Sequence, residues 1–245
     1  RAPLGRSDRP FDPQFFHQVP EESAMTDKIF IRKVLKDIIA EVDERMLPFV
    51  PSGDEETGET THIAVIDRNG LAVSLTQSIE RVYGSKAAAG GLGFLYNNYL
   101  FDFEYEIPSH PYYLRPNLAP WATVAPTIIT SAGSVWMALG SPGSERIIST
   151  LAYFLLNVLH RSVPLDRAME LPRLHCSLGG RVSLEEEGFP DEIISRLREK
   201  GFRIDKRERL SFYLGCIQGV LQKRNGSGFQ GIADIRREGD RKSVV

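Results

Sequence analysis

S-G-D-E-E-T-G-E at 52–59, followed by T-T-H-I-A-V-I-D-R-N-G-L-A-V-S-L-T-Q-S at 60–78, is the stretch that decides the fold. The first eight residues are acidic, include two glycines and hold no apolar anchor, so they read as a solvated linker. Strand signals begin directly after Glu59. Ile63, Val65, Leu71, Val73 and Leu75 alternate with other residues, and D-R-N-G at 67–70 separates the two runs. This reads as a β-hairpin with a tight Asn-Gly turn. A loose segment running into a strand is a place where a chain can be cut without unfolding its core. A cut before Thr60 would leave a hydroxyl and a free α-amine on one residue. An α-amine with a pKa of about 8 accepts a proton at neutral pH, so it can act as general base for its own hydroxyl. The plain alternative is that Thr60 and Thr61 are simply two β-formers opening a strand.

Outward from the hairpin, residues 1–24 are rich in Pro, Asp and Arg and read as an extended lead-in. Residues 26–47 carry Phe30, Val34, Leu35, Ile38, Ile39, Val42 and Met46 at helical spacing, with Thr26 as N-cap and Pro48 as stop. On the other side, A-A-A-G-G-L-G at 87–93 reads as a turn, because it lacks the third glycine at the spacing of a phosphate cradle and no helix pattern follows. An aromatic segment at 96–105 reads as core and pocket wall, and a proline-rich loop follows at 107–120. Strands are expected near 124–130, 134–139, 181–185, 213–221 and 229–234, and helices at 146–159, 165–171 and 190–200. Runs of strands with grouped helices indicate a layered α/β sandwich rather than strict βαβ repetition.

Composition narrows the classes. The chain has 245 residues, is 42% hydrophobic and 25% charged, and carries 30 Lys plus Arg against 32 Asp plus Glu. A net charge of -2 argues against nucleic-acid binding through bulk basic charge. Two cysteines, Cys176 and Cys216, make no disulfide framework and no metal spacing, and both read as small core residues. The five histidines never pair at i, i+4. His62 reads as structural and His175 as a loop hydrogen-bonder. Ser141 in G-S-P-G (140–143) is a poor nucleophile, since the following proline removes a backbone N–H from any oxyanion hole there. With no initiator Met and no signal core, Arg1 is expected to be internal to a longer protein.

T-T-H-I-A-V-I-D-R-N-G-L-A-V-S-L-T-Q-S, Y-G-S, G-F-L-Y-N-N-Y-L-F-D-F, A-P-T-I-I, G-S-P-G-S-E-R-I-I and L-P-R-L-H occur in this order. Together they resemble the catalytic small subunit of the γ-glutamyltransferase family. G-I-A-D-I-R-R-E-G near the end resembles the family's D-P-R finish, with Ile235 in place of the proline. The resemblance covers about 55–240. It implies an N-terminal nucleophile hydrolase of α/β class, a four-layer αββα sandwich. It also implies that residues 1–59 are the tail of a large subunit with its processing linker, and 60–245 the catalytic small-subunit portion. The partner is then the large subunit cut from the same precursor. No cofactor or metal is called for, and a periplasmic or extracellular setting is favoured.

By this resemblance Thr60 is the nucleophile and Glu59–Thr60 the self-processed bond. Ser78 stands for a family threonine whose hydroxyl hydrogen-bonds to the nucleophile. Gly143 and Ser144 stand for a Gly-Gly pair whose N–H groups form the oxyanion hole. Their place before a helix N-terminus suits that role, while Ser144 as helix N-cap is the alternative. Asp102 stands for the residue that binds the substrate α-ammonium. Glu80 replaces an asparagine and is either a second ammonium ligand or an exposed strand-end charge. Two positions depart further: Tyr99 replaces a Gln or Glu, and Ala122–Thr123 replace two serines that contact the α-carboxylate. Thr123 keeps a donor and Ala122 loses one. The expected reaction is γ-glutamyl transfer or hydrolysis through a threonyl ester, with glutathione as the implied substrate class. The alternatives are an acylase of the same superfamily, acting on β-lactam side chains or poly-γ-glutamate, and an unprocessed, non-catalytic member.

Overall fold

The computed structural model describes residues 58–237 except 111, 121, 178–179 and 224–227, together with 28–29, 31–33 and 36. Those early residues are helical. The rest of the expected helix 26–47, the lead-in at 1–24 and the linker up to residue 57 lie outside the described residues.

The hairpin forms as expected. β1 (Gly58–Ile66) and β2 (Ala72–Arg81) pair antiparallel. The connection is not a two-residue Asn-Gly turn. Asp67 still pairs with Leu71, its carboxylate accepts the N–H groups of Asn69 and Leu71 at 2.8 Å, and Gly70 takes φ +87°. This is a three-residue loop with glycine in the left-handed position, and the Asp67 side chain holds it more firmly than an Asn-Gly pair would.

A second sheet has the order β3–β4–β8–β9, from β3 (Thr127–Ser131), β4 (Ser134–Gly140), β8 (Gln218–Gln222) and β9 (Phe229–Ala233), all antiparallel neighbours. The hairpin packs on one face of it, through β1 on β4 and β8 and β2 on β3 and β4. The other face is covered by α1 (Arg146–Leu155), which continues as a wider turn over Leu156–His160. Met137, Leu139, Leu221 and Ile232 of the sheet, with Ile217 just before β8, form one core with Ile147, Leu151 and Phe154 of the helix. Burying such a row of large side chains is worth about 1.5–3 kcal/mol each before entropy. The helix is amphipathic rather than wholly buried, since Ile148, Leu156 and Leu159 stay exposed. Helix, sheet and hairpin are thus three stacked layers of an α/β sandwich.

The remaining elements are α2 (Leu165–Glu170), β5 (Leu174–Cys176), β6 (Arg181–Glu185), α3 (Asp191–Glu199) and β7 (Arg203–Arg207). β6 and β7 run parallel with α3 between them, one βαβ unit inside the layered fold. Its small core is Val182, Leu184 and Ile194. β5 and β7 are absent from the sequence expectation, and the strand expected at 213–221 begins only at Gln218, after a short turn at Phe212–Leu214. Cys216 is fully buried as expected, while Cys176 is exposed. The aromatic segment also differs: Phe103 is buried, but Tyr96, Phe101 and Tyr105 are exposed.

Candidate active site

The hairpin turns a polar row toward the second sheet. Side chains alternate along a strand, so Thr60, His62, Ser74, Thr76 and Ser78 share one face. His62 is buried, hydrogen-bonded to Thr76 at 2.8 Å, and faces Gly140, which leaves no room for a Cβ. Burial lowers its pKa to about 4, so the ring is neutral and structural. Ser74 donates to the Leu139 carbonyl at 3.0 Å and accepts the Thr127 N–H at 3.0 Å, tying the two sheets together.

At the end of this row the register breaks. Glu59 pairs with Glu80 and Thr60 pairs with Ser78, so Ile79 is the extra residue of a β-bulge. Bulges bend a strand and re-aim side chains, and they recur beside active sites. Three oxygens meet there. Thr60 Oγ1 donates to Ser78 Oγ at 2.9 Å, and Ser78 Oγ donates to the Glu59 carbonyl at 3.2 Å. The Glu80 N–H donates to the same Ser78 oxygen at 3.0 Å, from a left-handed backbone of φ +71°. Such a conformation costs a non-glycine residue about 1–2 kcal/mol and persists where the surroundings impose it.

The turn Tyr99–Asp102 is fastened to the bulge. Asn98 N–H donates to the Ile79 carbonyl at 3.3 Å, and Asn98 Oδ1 accepts the Arg81 N–H at 3.0 Å. The Arg81 guanidinium lies 3.4 Å above the Phe101 ring. Tyr99 is thereby half-buried beside the acidic Glu80 and Asp102. Burial, and then the charges of Glu80 and Asp102, hold its hydroxyl above the usual tyrosine range, so it stays protonated. Glu80 is half-buried, not an exposed strand-end charge.

Gly143 and Ser144 lie in the loop between β4 and α1, both with positive φ, +132° and +52°. Ser144 therefore adopts the backbone usually left to glycine. It is not the helix N-cap: α1 is preceded by Glu145, and no side chain caps it. The loop is held from behind. Ser141, fully buried, donates to the Pro142 carbonyl at 2.7 Å and accepts the Cys216 N–H at 3.0 Å, so its hydroxyl is committed to structure. The Cys216 thiol is pushed up to about 11 by burial and by Asp234, which keeps it inert. Arg237 is within electrostatic reach of both Glu59 and Arg146. Thr123 is half-buried in the extended segment before β3, a strand that pairs with β4 and not with the hairpin. His175 lies on β5, buried and hydrogen-bonded to Ser149 at 2.9 Å, rather than in a loop.

Sequence reasoning missed the support behind this loop. Arg173, Glu185, Asp234 and Arg236 are all buried. Arg236 bonds both oxygens of Glu185, at 2.7 and 2.8 Å, and Arg173 meets Asp234 at 2.6 Å. The carboxylates also accept the N–H groups of Ser211 and Ile217. Together they clamp the 211–217 segment that carries Cys216. Two arginines and two acids scattered over 173–236 give no local pattern; the quoted L-P-R-L-H and G-I-A-D-I-R-R-E-G blocks contain Arg173, Asp234 and Arg236, and Glu185 lies in neither. Among the described residues, no group of three His, Cys, Asp or Glu is placed to hold a metal ion.

The Gamma-glutamyltranspeptidase family profile matches residues 2–244. This chain belongs to the γ-glutamyltranspeptidase family. Among its relatives is a glutathione hydrolase proenzyme of Escherichia coli K12, 27% identical over 96% of this chain and 41% of that protein. Acylase ACY 1 proenzyme of Pseudomonas sp. V22 is 30% identical over 66% of this chain and 28% of that protein. The crystal structure of a Helicobacter pylori γ-glutamyltranspeptidase mutant superposes with a TM-score of 0.62 at 33% identity, covering 72% of this chain and all of that one. The family fold of N-terminal nucleophile hydrolases is thus the fold of this chain, which spans about two-fifths of the length of its E. coli relative.

Proposed function

We propose that this chain is the catalytic portion of a self-processing acyl-transfer enzyme. Cleavage between Glu59 and Thr60 exposes the nucleophile. The observation that carries the reading is the convergence of the Thr60 hydroxyl, the Ser78 hydroxyl and the Glu59 carbonyl at the bulge. Residues 1–59 are then the end of the large subunit and its linker, and 60–245 the small-subunit portion. After cleavage the Thr60 α-amine takes the hydroxyl proton, the oxygen attacks a γ-glutamyl carbonyl, and water or an amine resolves the ester. Ser78 steadies the nucleophile, and the Gly143 and Ser144 N–H groups take the developing oxyanion. Asp102 and Glu80 bind the substrate ammonium by charge-assisted hydrogen bonds, with Tyr99 as pocket wall and Thr123 toward the carboxylate.

Large-subunit residues cover the outer face of the hairpin. Ile63, Val65, Leu71, Val73 and Leu75 lie there, 49–68% exposed, an apolar face that requires a partner layer. The names of the relatives support a glutathione-type substrate. A second reading, an acylase for other acyl amides, has specific support in the similarity to Acylase ACY 1 proenzyme and in Tyr99, an aromatic side chain where the resemblance has a Gln or Glu. The processed complete protein, given a chromogenic γ-glutamyl anilide or a non-amino-acid acyl anilide, discriminates the two. Turnover of the first, with an acyl adduct trapped on Thr60, is expected. Turnover confined to the second would replace γ-glutamyl chemistry by acylase chemistry, and neither would contradict both.

A further inference from the structure

Gly143 and Ser144 offer their N–H groups to an oxyanion in only one orientation of the peptide between them. In a trans peptide the C=O and N–H point to opposite sides, so the direction of the Gly143 carbonyl sets that of the Ser144 N–H. That carbonyl accepts the Arg146 N–H at 3.0 Å, and the Ser144 carbonyl accepts the Ile147 N–H at 3.0 Å. The arrangement is strained, because Ser144 sits at φ +52°. Rotating the Gly143–Ser144 peptide to face the other way would bring Ser144 to negative φ and relieve the strain, as one turn type converts to another. It would also swing the Ser144 N–H away and put the Gly143 carbonyl in its place. Glycine at 143 offers no resistance to such a rotation. What holds the peptide is the Arg146 N–H, and so the first turn of α1.

That turn is tied to β5. Ser149 Oγ donates to the Arg146 carbonyl at 3.1 Å and lies 2.9 Å from His175 Nδ1. Its single proton goes to the carbonyl, so toward the ring the oxygen accepts and Nδ1 carries the proton. His175 Nε2 faces Glu145, the residue between Ser144 and α1, at 3.8 Å. The ring is buried, and its strand pairs with β6, where Ser183 stands opposite His175. β6 is the middle strand of its sheet and supplies Val182 and Leu184 to the small core. The anchor is therefore packed on the side away from the loop. α1 has no side-chain cap of its own, and the tie to His175 steadies its first turn instead.

We propose that His175 is a positioning residue for acyl transfer, holding the Gly143–Ser144 peptide in its oxyanion-binding orientation through Ser149 and the first turn of α1. This rests on the oxyanion role given to Gly143 and Ser144 above and adds what keeps that role available. The contacts run from His175 Nδ1 to Ser149 Oγ, on to the Arg146 carbonyl, across that residue to its N–H, and so to the Gly143 carbonyl. Without the tie the first turn frays, the Arg146 N–H leaves the Gly143 carbonyl, and the peptide relaxes into the orientation that presents a carbonyl to the developing charge. The sheet β5–β6–β7, which carries none of the residues assigned to the reaction, is then the base from which the loop is steadied.

The test uses the processed complete enzyme and whichever of the two anilides it turns over, with rates divided by the amount of cleaved chain seen by mass. His175→Ala and Ser149→Ala are each expected to lower kcat by about 10-fold with KM unchanged, less than the loss of a whole oxyanion donor. Ser149→Ala removes one oxygen from a half-buried helix position, so it gives the answer if His175→Ala fails to fold. Two replacements separate positioning from packing. Asparagine puts an N–H where Nδ1 stands, whereas glutamine fills more of the ring's volume and reaches the Nε2 end. His175→Asn should restore most of the lost rate and His175→Gln little; the reverse order would mean that the ring merely fills space, and would overturn the proposal. In a Ser144→Gly background the strain is gone, so loss of His175 should cost little there; an equal cost in both backgrounds also overturns it. An enzyme that turns over either anilide but is indifferent to His175 and Ser149 keeps the acyl-transfer reading and loses only this one. An enzyme that turns over neither loses both.

Discussion

His62 stands two residues from Thr60 on the same face of β1, yet it is neutral at pH 7 and locked between sheets. Its folded pKa of about 4 lies below the usual 6.5, so the unfolded chain binds the proton more readily. The stabilisation is therefore fully present above pH 6.5 and is lost as pH falls toward 4, by about 3 kcal/mol at most. Urea midpoints at pH 7 and 4.5 should drop further for the wild type than for His62→Gln; equal drops would contradict the assignment. Arg236 gives the second prediction at this scale. Removing it in Arg236→Ala strands the buried carboxylate of Glu185, while Asp234 keeps Arg173, at a cost of about 3–5 kcal/mol. A thermal melt reads this directly, and a change under 1 kcal/mol would mean that water reaches the cluster.

At the scale of elements, the hairpin, α1 and α3 were legible in the sequence because each carries its own period and punctuation: alternation around D-R-N-G for the strands, apolar spacing for the helices. β5 and β7 were not. Leu174–Cys176 is only three residues long, and R-I-D-K-R at 203–207 is nearly all charged, so neither has an apolar run to read; their partner β6 makes them strands. Family resemblance is what sets Thr60 beside Ser78, since nothing in either strand alone does, and their hydroxyls lie 2.9 Å apart. The bulge that joins Glu80 and Tyr99 to them depends on register, which no single stretch encodes. The close approach of the two sheets also has a price at Gly140, where a Cβ would fall 2.2 Å from the His62 ring. Gly140→Ala should destabilise by about 1–3 kcal/mol through overpacking, measured as a shift in urea midpoint, and pairing it with His62→Ala should recover part of the loss.

For the whole molecule, the inside-out hairpin is the governing fact: its polar row faces the second sheet and its apolar row faces outward. Composition could not reveal this, because alternation gives two faces without saying which is buried. In the account above the outer face is covered by the large-subunit portion of the same precursor. Val65 and Val73 are direct partners across the hairpin. Replacing both with threonine in the complete precursor should weaken the processed pair by about 1 kcal/mol each, seen as separation of the two chains at lower urea; an unchanged midpoint would place the covering layer elsewhere. All of this depends on one bond. The most direct test is the intact mass of the complete precursor and of its Thr60→Ala variant after purification. The account predicts two chains for the wild type, the smaller beginning at Thr60, and one uncut chain for the variant. A folded wild-type precursor that remains whole, or a variant cut at the same place, would contradict it.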